Sequence, residues 1–203
     1  MKKISIFFIS LFLISIVVLL SNCKKDKTTT PAPTTLQITF NNSLGNAVQG
    51  ASVKLYSSQT DWTNGTNQIG TTQTSDASGK VTFSNLQSIV YYWWAQQDCM
   101  NNYNGSAKVV NPLTANATNT VTCVLSSTGT VTFTSTSSNP YDCYINGTRQ
   151  FTLNGGLSQS VYYLPVGAYT FRVLQLSGYV LTPTDETFNS NIVCDQTTTI
   201  TFP

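Results

Sequence analysis

The sequence predicts an all-β protein made of two consecutive small β-sandwich domains, which follow a signal peptide and a flexible tether. Apolar and polar residues alternate with a period of two along many short runs, as half-buried strands require. Thr, Val, Tyr and Phe dominate these runs, and Gly, Asn, Ser and Asp interrupt them about every eight to twelve residues. Beyond position 23, no window of about eleven residues carries the apolar stripe of a helix.

The first 22 residues have the pattern of a lipoprotein signal peptide. Lys2 and Lys3 form a basic start, an uncharged apolar run covers residues 4–20, and Cys23 stands where cleavage would fall. We therefore expect Cys23 to carry a lipid that holds the mature chain on a membrane. An uncleaved membrane span is the alternative, although a run of 17 residues is at the short limit for crossing a bilayer.

The predicted mature chain has no excess of positive charge. Lys2 and Lys3 leave with the signal peptide, so eight basic residues remain against eight acidic ones. Nucleic-acid binding depends on a basic surface that releases counterions from phosphates. We therefore expect no nucleic-acid partner.

Residues 23–35 form the predicted tether. They include Pro31, Pro33, many threonines and almost no apolar side chains, so they cannot bury enough surface to fold. The run N-C-K-K-D at residues 22–26, followed by a Thr/Pro stretch, resembles the lipoproteins of Bacteroidetes-type bacteria. The resemblance implies an anchor in the outer membrane of the cell envelope, and it leaves open whether the protein faces the periplasm or the cell surface.

The first predicted domain spans residues 36–126. Alternation along its strands assigns these side chains to the core: Leu36, Ile38, Phe40, Val53, Leu55, Val81 and Phe83. Lys54 lies between two of them in sequence and is therefore expected to face water. Asp76 and Gly79 predict a tight turn, because Asp76 can accept hydrogen bonds from the following amides and Gly79 can adopt a positive φ.

The second predicted domain spans residues 127–203. Its strands are indicated by alternating residues on common faces, namely Val131 and Phe133, then Tyr141, Cys143 and Ile145, then Tyr169, Phe171 and Val173, and finally Ile200 and Phe202. Asn146 and Gly147 between the second and third of these groups predict a β-hairpin.

Each domain resembles a known family. Residues 50–56, 74–83, 85–86 and 91–94 give the first domain its resemblance to the carboxypeptidase-regulatory-like, or transthyretin-like, β-sandwich family. Residues 144–148 and 164–170 make the second domain similar to the small PEGA-type β domains of bacterial surface proteins. Both resemblances imply a β fold, and neither implies an activity.

Four cysteines remain beside Cys23, and an even number in an exported chain predicts two disulfides. Among three connectivities, the domain division favours Cys99–Cys123 and Cys143–Cys194. Cys123 and Cys143 share faces with core residues, so both should point inward. Four reduced, buried thiols are the alternative. A metal site is disfavoured because the chain has no C-x-x-C pair and no histidine, and we expect neither a metal nor a cofactor.

Catalysis is not expected either. The lack of histidine removes Ser-His-Asp and Cys-His mechanisms. Asp185 and Glu186 are a carboxylate pair, but on a strand they would face opposite sides, and a solvated turn after Pro183 explains them better. The sequence therefore predicts a protein that is not an enzyme.

The tryptophans are the candidate ligand-binding residues. Trp62 lies in a polar stretch rich in Asn and Thr, and Trp93 and Trp94 occupy opposite faces of one strand, so one of that pair must leave the core. Outward tryptophans could stack on sugars, or they could simply be covered by a loop or by the other domain. A glycan-binding adhesion-type module and a structural spacer that docks another envelope protein are thus the two competing hypotheses. Convergence of Trp62 with Trp93 or Trp94 on an open face would favour the first.

Overall fold

The computed structural model describes residues 31–203. The predicted signal peptide, Cys23 and the first part of the tether lie outside the described residues. An all-β fold is confirmed. The first half contains one short helix, α1 (Gln59–Asn64), and these strands: β1 (Thr35–Asn42), β2 (Ser52–Tyr56), β3 (Ile69–Thr74), β4 (Lys80–Phe83), β5 (Tyr92–Gln97) and β6 (Met100–Asn101).

The second half contains strands only. A long strand, β7 (Thr118–Ser135), leads into it, and these strands follow: β8 (Tyr141–Ile145), β9 (Thr148–Leu153), β10 (Ser158–Pro165), β11 (Gly167–Gln175), β12 (Asp185–Ile192) and β13 (Thr197–Phe202). Nine strands are linked in the order β3-β2-β5-β6-β7-β1-β4, with β10 and β13 also paired to β7. The remaining four form a separate sheet in the order β12-β11-β8-β9.

Two apolar cores follow from the alternation. The first is formed by residues that include Leu36, Ile38, Phe40, Val53, Leu55, Val81, Phe83 and Trp93. The second is formed by residues that include Val131, Phe133, Tyr141, Ile145, Phe171, Val173, Ile200 and Phe202. All the side chains that alternation assigned to the first core are buried there, and Lys54 is exposed as predicted.

Strand β7 serves both cores. Its first part pairs in parallel with β1, and its second part pairs with β10 and β13. Leu125 lies in the first core and Val131 in the second, so the cores divide close to the predicted domain boundary. The backbone nevertheless continues as one strand through that boundary. At Gly129 a segment of the second half approaches β7 closely, since a Cβ there would collide with the carbonyl of Val193.

Thr128 connects β7 to a loop from each half. Its amide and its hydroxyl both donate to the carbonyl of Cys99, over 3.0 Å and 3.1 Å. Its hydroxyl also accepts from the Asn101 amide, and its carbonyl accepts from the amide of Asp195 over 3.1 Å. The β5–β6 turn and the β12–β13 turn are therefore both hydrogen-bonded to the same residue.

The disulfide connectivity predicted from the domain division is wrong. Cys99 bonds to Cys194, 95 residues away, and this bond joins the two turns that Thr128 holds. Cys123 and Cys143 are free, and each is fully buried in a different core. The Cys123 thiol donates to the carbonyl of Ser106 over 3.1 Å. As alternation predicted, both thiols point into the cores. Because they are buried there, neither can reach a cysteine on a surface turn.

The two predicted turns are confirmed. Asp76 accepts from the amides of Ser78 and Lys80, and Gly79 has a φ of 71°. Asn146 and Gly147 both have positive φ and connect β8 to β9, as a type I′ hairpin turn requires.

The helix α1 was not predicted, because six residues without any buried side chain leave no apolar stripe. Within residues 31–203, no helix is both long enough and apolar enough to span a membrane.

Replacing both Cys99 and Cys194 with serine should lower the free energy of unfolding by about 2–5 kcal/mol, because the bond closes a long loop in the unfolded chain. Denaturant unfolding of the variant and of reduced wild-type protein should give the same lowered midpoint. A variant that unfolds at the oxidised wild-type midpoint would contradict this assignment. On reduction, the intact mass should rise by two hydrogens rather than four.

The thiols of Cys123 and Cys143 should resist alkylation at pH 8 in the folded protein. Burial raises the pKa of Cys123 to about 11, and burial together with the negative charge of Asp142 raises the pKa of Cys143 to about 12. Since the thiolate is the reactive form, iodoacetamide should modify neither until the chain unfolds. Peptide mass mapping of these two sites, with and without denaturant, measures this directly.

The same pKa shifts have a consequence for stability. The unfolded chain loses these thiol protons near the ordinary pKa of 9.0, while the folded chain keeps them until pH approaches the raised values. Stability should therefore be unaffected by these groups below about pH 8 and should fall as the pH rises from about 9 to 11.

Candidate functional site: an aromatic cleft

The described surface contains an open cleft of about 650 Å³, which we call the aromatic cleft. Side chains from five separate segments line it, among them Lys54, Trp62, Asn64, Trp94, Tyr103 and Tyr163. Trp62 and Trp94 thus converge on one open face.

Alternation along β5 separates its two tryptophans. Trp93 is completely buried in the first core, whereas Trp94 lies on the opposite face of the strand and lines the cleft. Trp93 is therefore excluded as a direct ligand contact, which corrects its inclusion among the candidate residues. Trp94 is paired in register with Lys54 of β2, so these two side chains are neighbours on the outer face of the sheet.

Helix α1 places Trp62 over this outer face. Ser58 caps the helix by accepting from the Asp61 amide, and Gly65 ends it in a left-handed conformation. The Trp62 indole N–H donates to the carbonyl of Trp93 over 2.9 Å. The indole thus has its one polar group satisfied and its orientation fixed by the sheet beneath it.

Tyr56 also lines the cleft. It shares the outer face of β2 with Lys54, yet it is only 2% exposed. This burial raises the pKa of the Tyr56 phenol above its ordinary value, so the group stays neutral through the physiological range.

Tyr163 comes from the second half of the chain, through an irregularity in β10. The register between β10 and β7 shifts between Val161 and Leu164, and Tyr163 has a φ of 59°. A left-handed conformation is unfavourable for an aromatic residue, and bulges of this kind redirect side chains. The bulge directs the Tyr163 ring into the cleft, where its centroid lies 5.3 Å from that of Trp94.

The loop after β6 completes the wall. The Tyr103 ring lies 5.0 Å from the Tyr163 ring, and the neighbouring Asn104 side chain donates to the Tyr163 carbonyl over 2.8 Å. These contacts join a loop of the first half to the bulge of the second. The aromatic cleft is thus assembled only where the two halves meet.

Asn102 supports the cleft from beneath. Its completely buried side chain accepts from the Ala95 amide and donates to the carbonyls of Trp93 and Ser106. The Trp93 carbonyl consequently accepts from Asn102 on the inside and from Trp62 on the outside. The strand that carries Trp94 and the ring of Trp62 are fixed through this single oxygen.

Lys54 is the only charged side chain that lines the cleft among residues 31–203. The nearby helix residue Asp61 is engaged elsewhere. Its carboxylate accepts from the Ser58 hydroxyl over 2.6 Å and from the Asn67 amide over 2.7 Å, and these bonds hold the pKa of Asp61 below its usual value.

The other candidate groups lie away from this cleft. Asp185 and Glu186 begin strand β12 rather than a turn, and Asp185 forms a two-pronged ion pair with Arg172 at 2.7 Å. In the described part of the chain, no group of three or more Cys, Asp or Glu side chains is placed to hold a metal ion.

Sequence reasoning identified Trp62 and Trp94 and missed Tyr103 and Tyr163. Tyr103 lies in an irregular loop, and no local pattern marks it. The paired tyrosines at 162 and 163 interrupt the alternation of β10, and that interruption was the available signal for a bulge.

No known protein family and no curated protein matches this chain in sequence. The carboxypeptidase-regulatory-like and PEGA-like resemblances therefore stay predictions.

The solved structures that this chain partly resembles include pilins of Gram-positive bacteria. A streptococcal ancillary pilin is 15% identical with a TM-score of 0.40, over 84% of this chain and 62% of its own. The minor pilin GBS52 of Streptococcus agalactiae is 16% identical with a TM-score of 0.35, over 83% of this chain and 94% of its own. The shaft pilin SpaA of Lactobacillus rhamnosus GG is 12% identical with a TM-score of 0.33, over 85% and 97%. This chain thus spans less than two thirds of the first pilin, and likenesses at this level do not bear on what it binds.

Replacing Asn102 with alanine should lower the free energy of unfolding by about 2–4 kcal/mol, because the Ala95 amide and two carbonyls lose a buried partner. Asn104→Ala is the matched control, since Asn104 is exposed and makes one bond, to Tyr163; it should cost about 1 kcal/mol or less. Denaturant unfolding of both variants tests the difference. Equal losses would mean that Asn102 does not have the supporting role described.

Proposed function

We propose that this protein is a non-enzymatic, lipid-anchored binding module of the cell envelope, and that its aromatic cleft binds a glycan. The observation that carries the proposal is the convergence of Trp62, Trp94, Tyr103 and Tyr163 on one open cleft. Four aromatic rings from separate segments are brought together there, although large aromatic side chains gain most stability when they are buried.

The chemistry of the cleft suits a sugar. Aromatic faces pack against the apolar C–H faces of pyranose rings, while neighbouring amides and hydroxyls can bond the sugar hydroxyls. Here Thr63 and Asn64 of α1 supply such polar groups beside Trp62. Because Trp62 is already held by its bond to the Trp93 carbonyl, binding would cost little of its side-chain entropy.

The contents of the cleft favour binding over catalysis. Among the described residues, no Asp, Glu or Cys lines it, and the whole sequence contains no histidine. Asp, Glu, His and Cys are the side chains that most often act as acid, base or nucleophile in hydrolysis. The two free thiols are buried with raised pKa values, which suits structural rather than catalytic cysteines.

The cell-envelope assignment rests on the sequence of the first 35 residues. The pattern around Cys23 supports lipidation, and the Thr/Pro tether that follows would give the cleft some freedom above the bilayer. A structural accessory role, in which the same cleft docks another envelope protein, is the alternative.

Glycan binding can be tested with the full chain in a detergent that has no sugar headgroup, screened against a glycan array. Trp62→Ala and Trp94→Ala should each weaken binding to any positive glycan by about ten- to thirtyfold, the usual cost of truncating a central aromatic contact. Tyr179→Ala is the matched control, because Tyr179 is an exposed aromatic outside the cleft, and it should bind like wild type.

Two results would contradict the proposal. Absence of binding across the array would favour the accessory role, and binding that survives both tryptophan variants would place the glycan site elsewhere.

A further inference from the structure

We infer that the glycan recognised by the aromatic cleft is anionic, a pyranose that carries a carboxylate or sulfate group, with Lys54 as its counterion. This inference rests on the proposed function and adds the chemical class of the ligand. Its basis is that Lys54 lines an aromatic cleft which, within the described chain, has no acidic lining residue.

The position of Lys54 sets it next to the stacking surface. It lies on β2 directly opposite Trp94 of β5, and the alternation of β2 directs it to the outer face of the sheet. A sugar ring stacked on Trp94 would therefore lie beside this side chain. A charged substituent on that ring would come within reach of the ammonium group.

Lys54 has no protein counterion among residues 31–203. The two ion pairs there involve Arg149 with Asp142 and Arg172 with Asp185, both in the second half of the chain. Asp61 is the acidic residue on the helix that borders the cleft, and its carboxylate is already bonded to Ser58 and Asn67. The ammonium group is thus available to a ligand.

A lysine suits this role better than it suits a structural one. Its ammonium is a mobile point charge that accepts anions of different geometry, whereas ordered, two-pronged pairs use arginine. In residues 31–203, both ion pairs use arginine rather than lysine. A neutral sugar would use stacking alone, and an anionic sugar would use stacking and charge together.

The size of the effect is limited by exposure. One charge-assisted contact in an open cleft is partly screened by water and salt, so we expect it to change affinity by about three- to tenfold rather than by orders of magnitude. The preference should weaken as ionic strength rises from about 0.05 M to 0.5 M, because the Debye length shortens over that range.

The experiment compares matched pairs of oligosaccharides with the same sugar backbone, one member anionic and the other neutral. The pairs are trigalacturonate and its methyl ester, a glucuronate oligomer and its methyl ester, and a sulfated galactan oligomer and its desulfated form. Binding to the full chain, in zwitterionic detergent, is measured by calorimetry. At least one anionic member should bind about three- to tenfold more tightly than its neutral partner, and the carboxylate and sulfate pairs show which anion is preferred.

Two lysine variants test whether the tighter binding of the anionic member arises in the cleft. Lys54→Gln should abolish the difference within a pair, because the anionic member loses its advantage of about three- to tenfold over the neutral one. Lys80→Gln is the control, because Lys80 is also exposed but lies on β4, outside the cleft, and it should keep the full preference.

The possible results distinguish a wrong ligand class from a wrong proposal of glycan binding. Equal, Trp94-dependent binding of charged and neutral members would overturn the anionic class and leave glycan binding intact. An anionic preference that persists in Lys54→Gln would overturn the role of Lys54. Binding of no member of any pair would overturn both.

Discussion

The arrangement of this protein depends on the middle of strand β7, where Thr128 is hydrogen-bonded to both cysteine-bearing turns. A residue in the middle of a strand normally bonds to the neighbouring strands of one sheet. Thr128 bonds instead to two turns that belong to different halves of the chain. Gly129, next in sequence, allows the second turn to approach closely enough for the bond from Asp195. The Cys99–Cys194 disulfide then fixes covalently a contact that backbone hydrogen bonds already define.

The aromatic cleft is a consequence of that junction. Trp62 and Trp94 belong to the first half, and Tyr163 reaches them only because β10 is paired to the second part of the same strand β7. The left-handed conformation of Tyr163 is unfavourable locally and is maintained by contacts with Trp94, Tyr103 and Asn104. The site is thus built from tertiary contacts, and neither half contains it alone.

This origin explains what the sequence could predict. Period-two alternation is a property of a single strand, so it can be read without knowing the rest of the fold. It correctly predicted that Val53 and Leu55 are buried and that Lys54 is exposed. It also predicted that Trp93 and Trp94 lie on opposite faces of β5. Turn residues act over a few positions, so the Asp76 turn was also predictable. The pairing of Cys99 with Cys194 was not, because it depends on how two distant turns meet. Tyr163 was missed for a related reason, since its direction is set by a register shift against another strand.

The parallel pairing of β1 and β13 with β7 also determines how the fold would bear a mechanical load. Thr35 of β1 lies beside Thr118 at one end of β7, and Phe202 of β13 lies beside Ser135 at the other end, up to about 55 Å away along the strand. Tension applied between those outer ends would pull β1 and β13 in opposite directions along β7. Every hydrogen bond of the two ladders would then be stretched together in shear, rather than opened one after another.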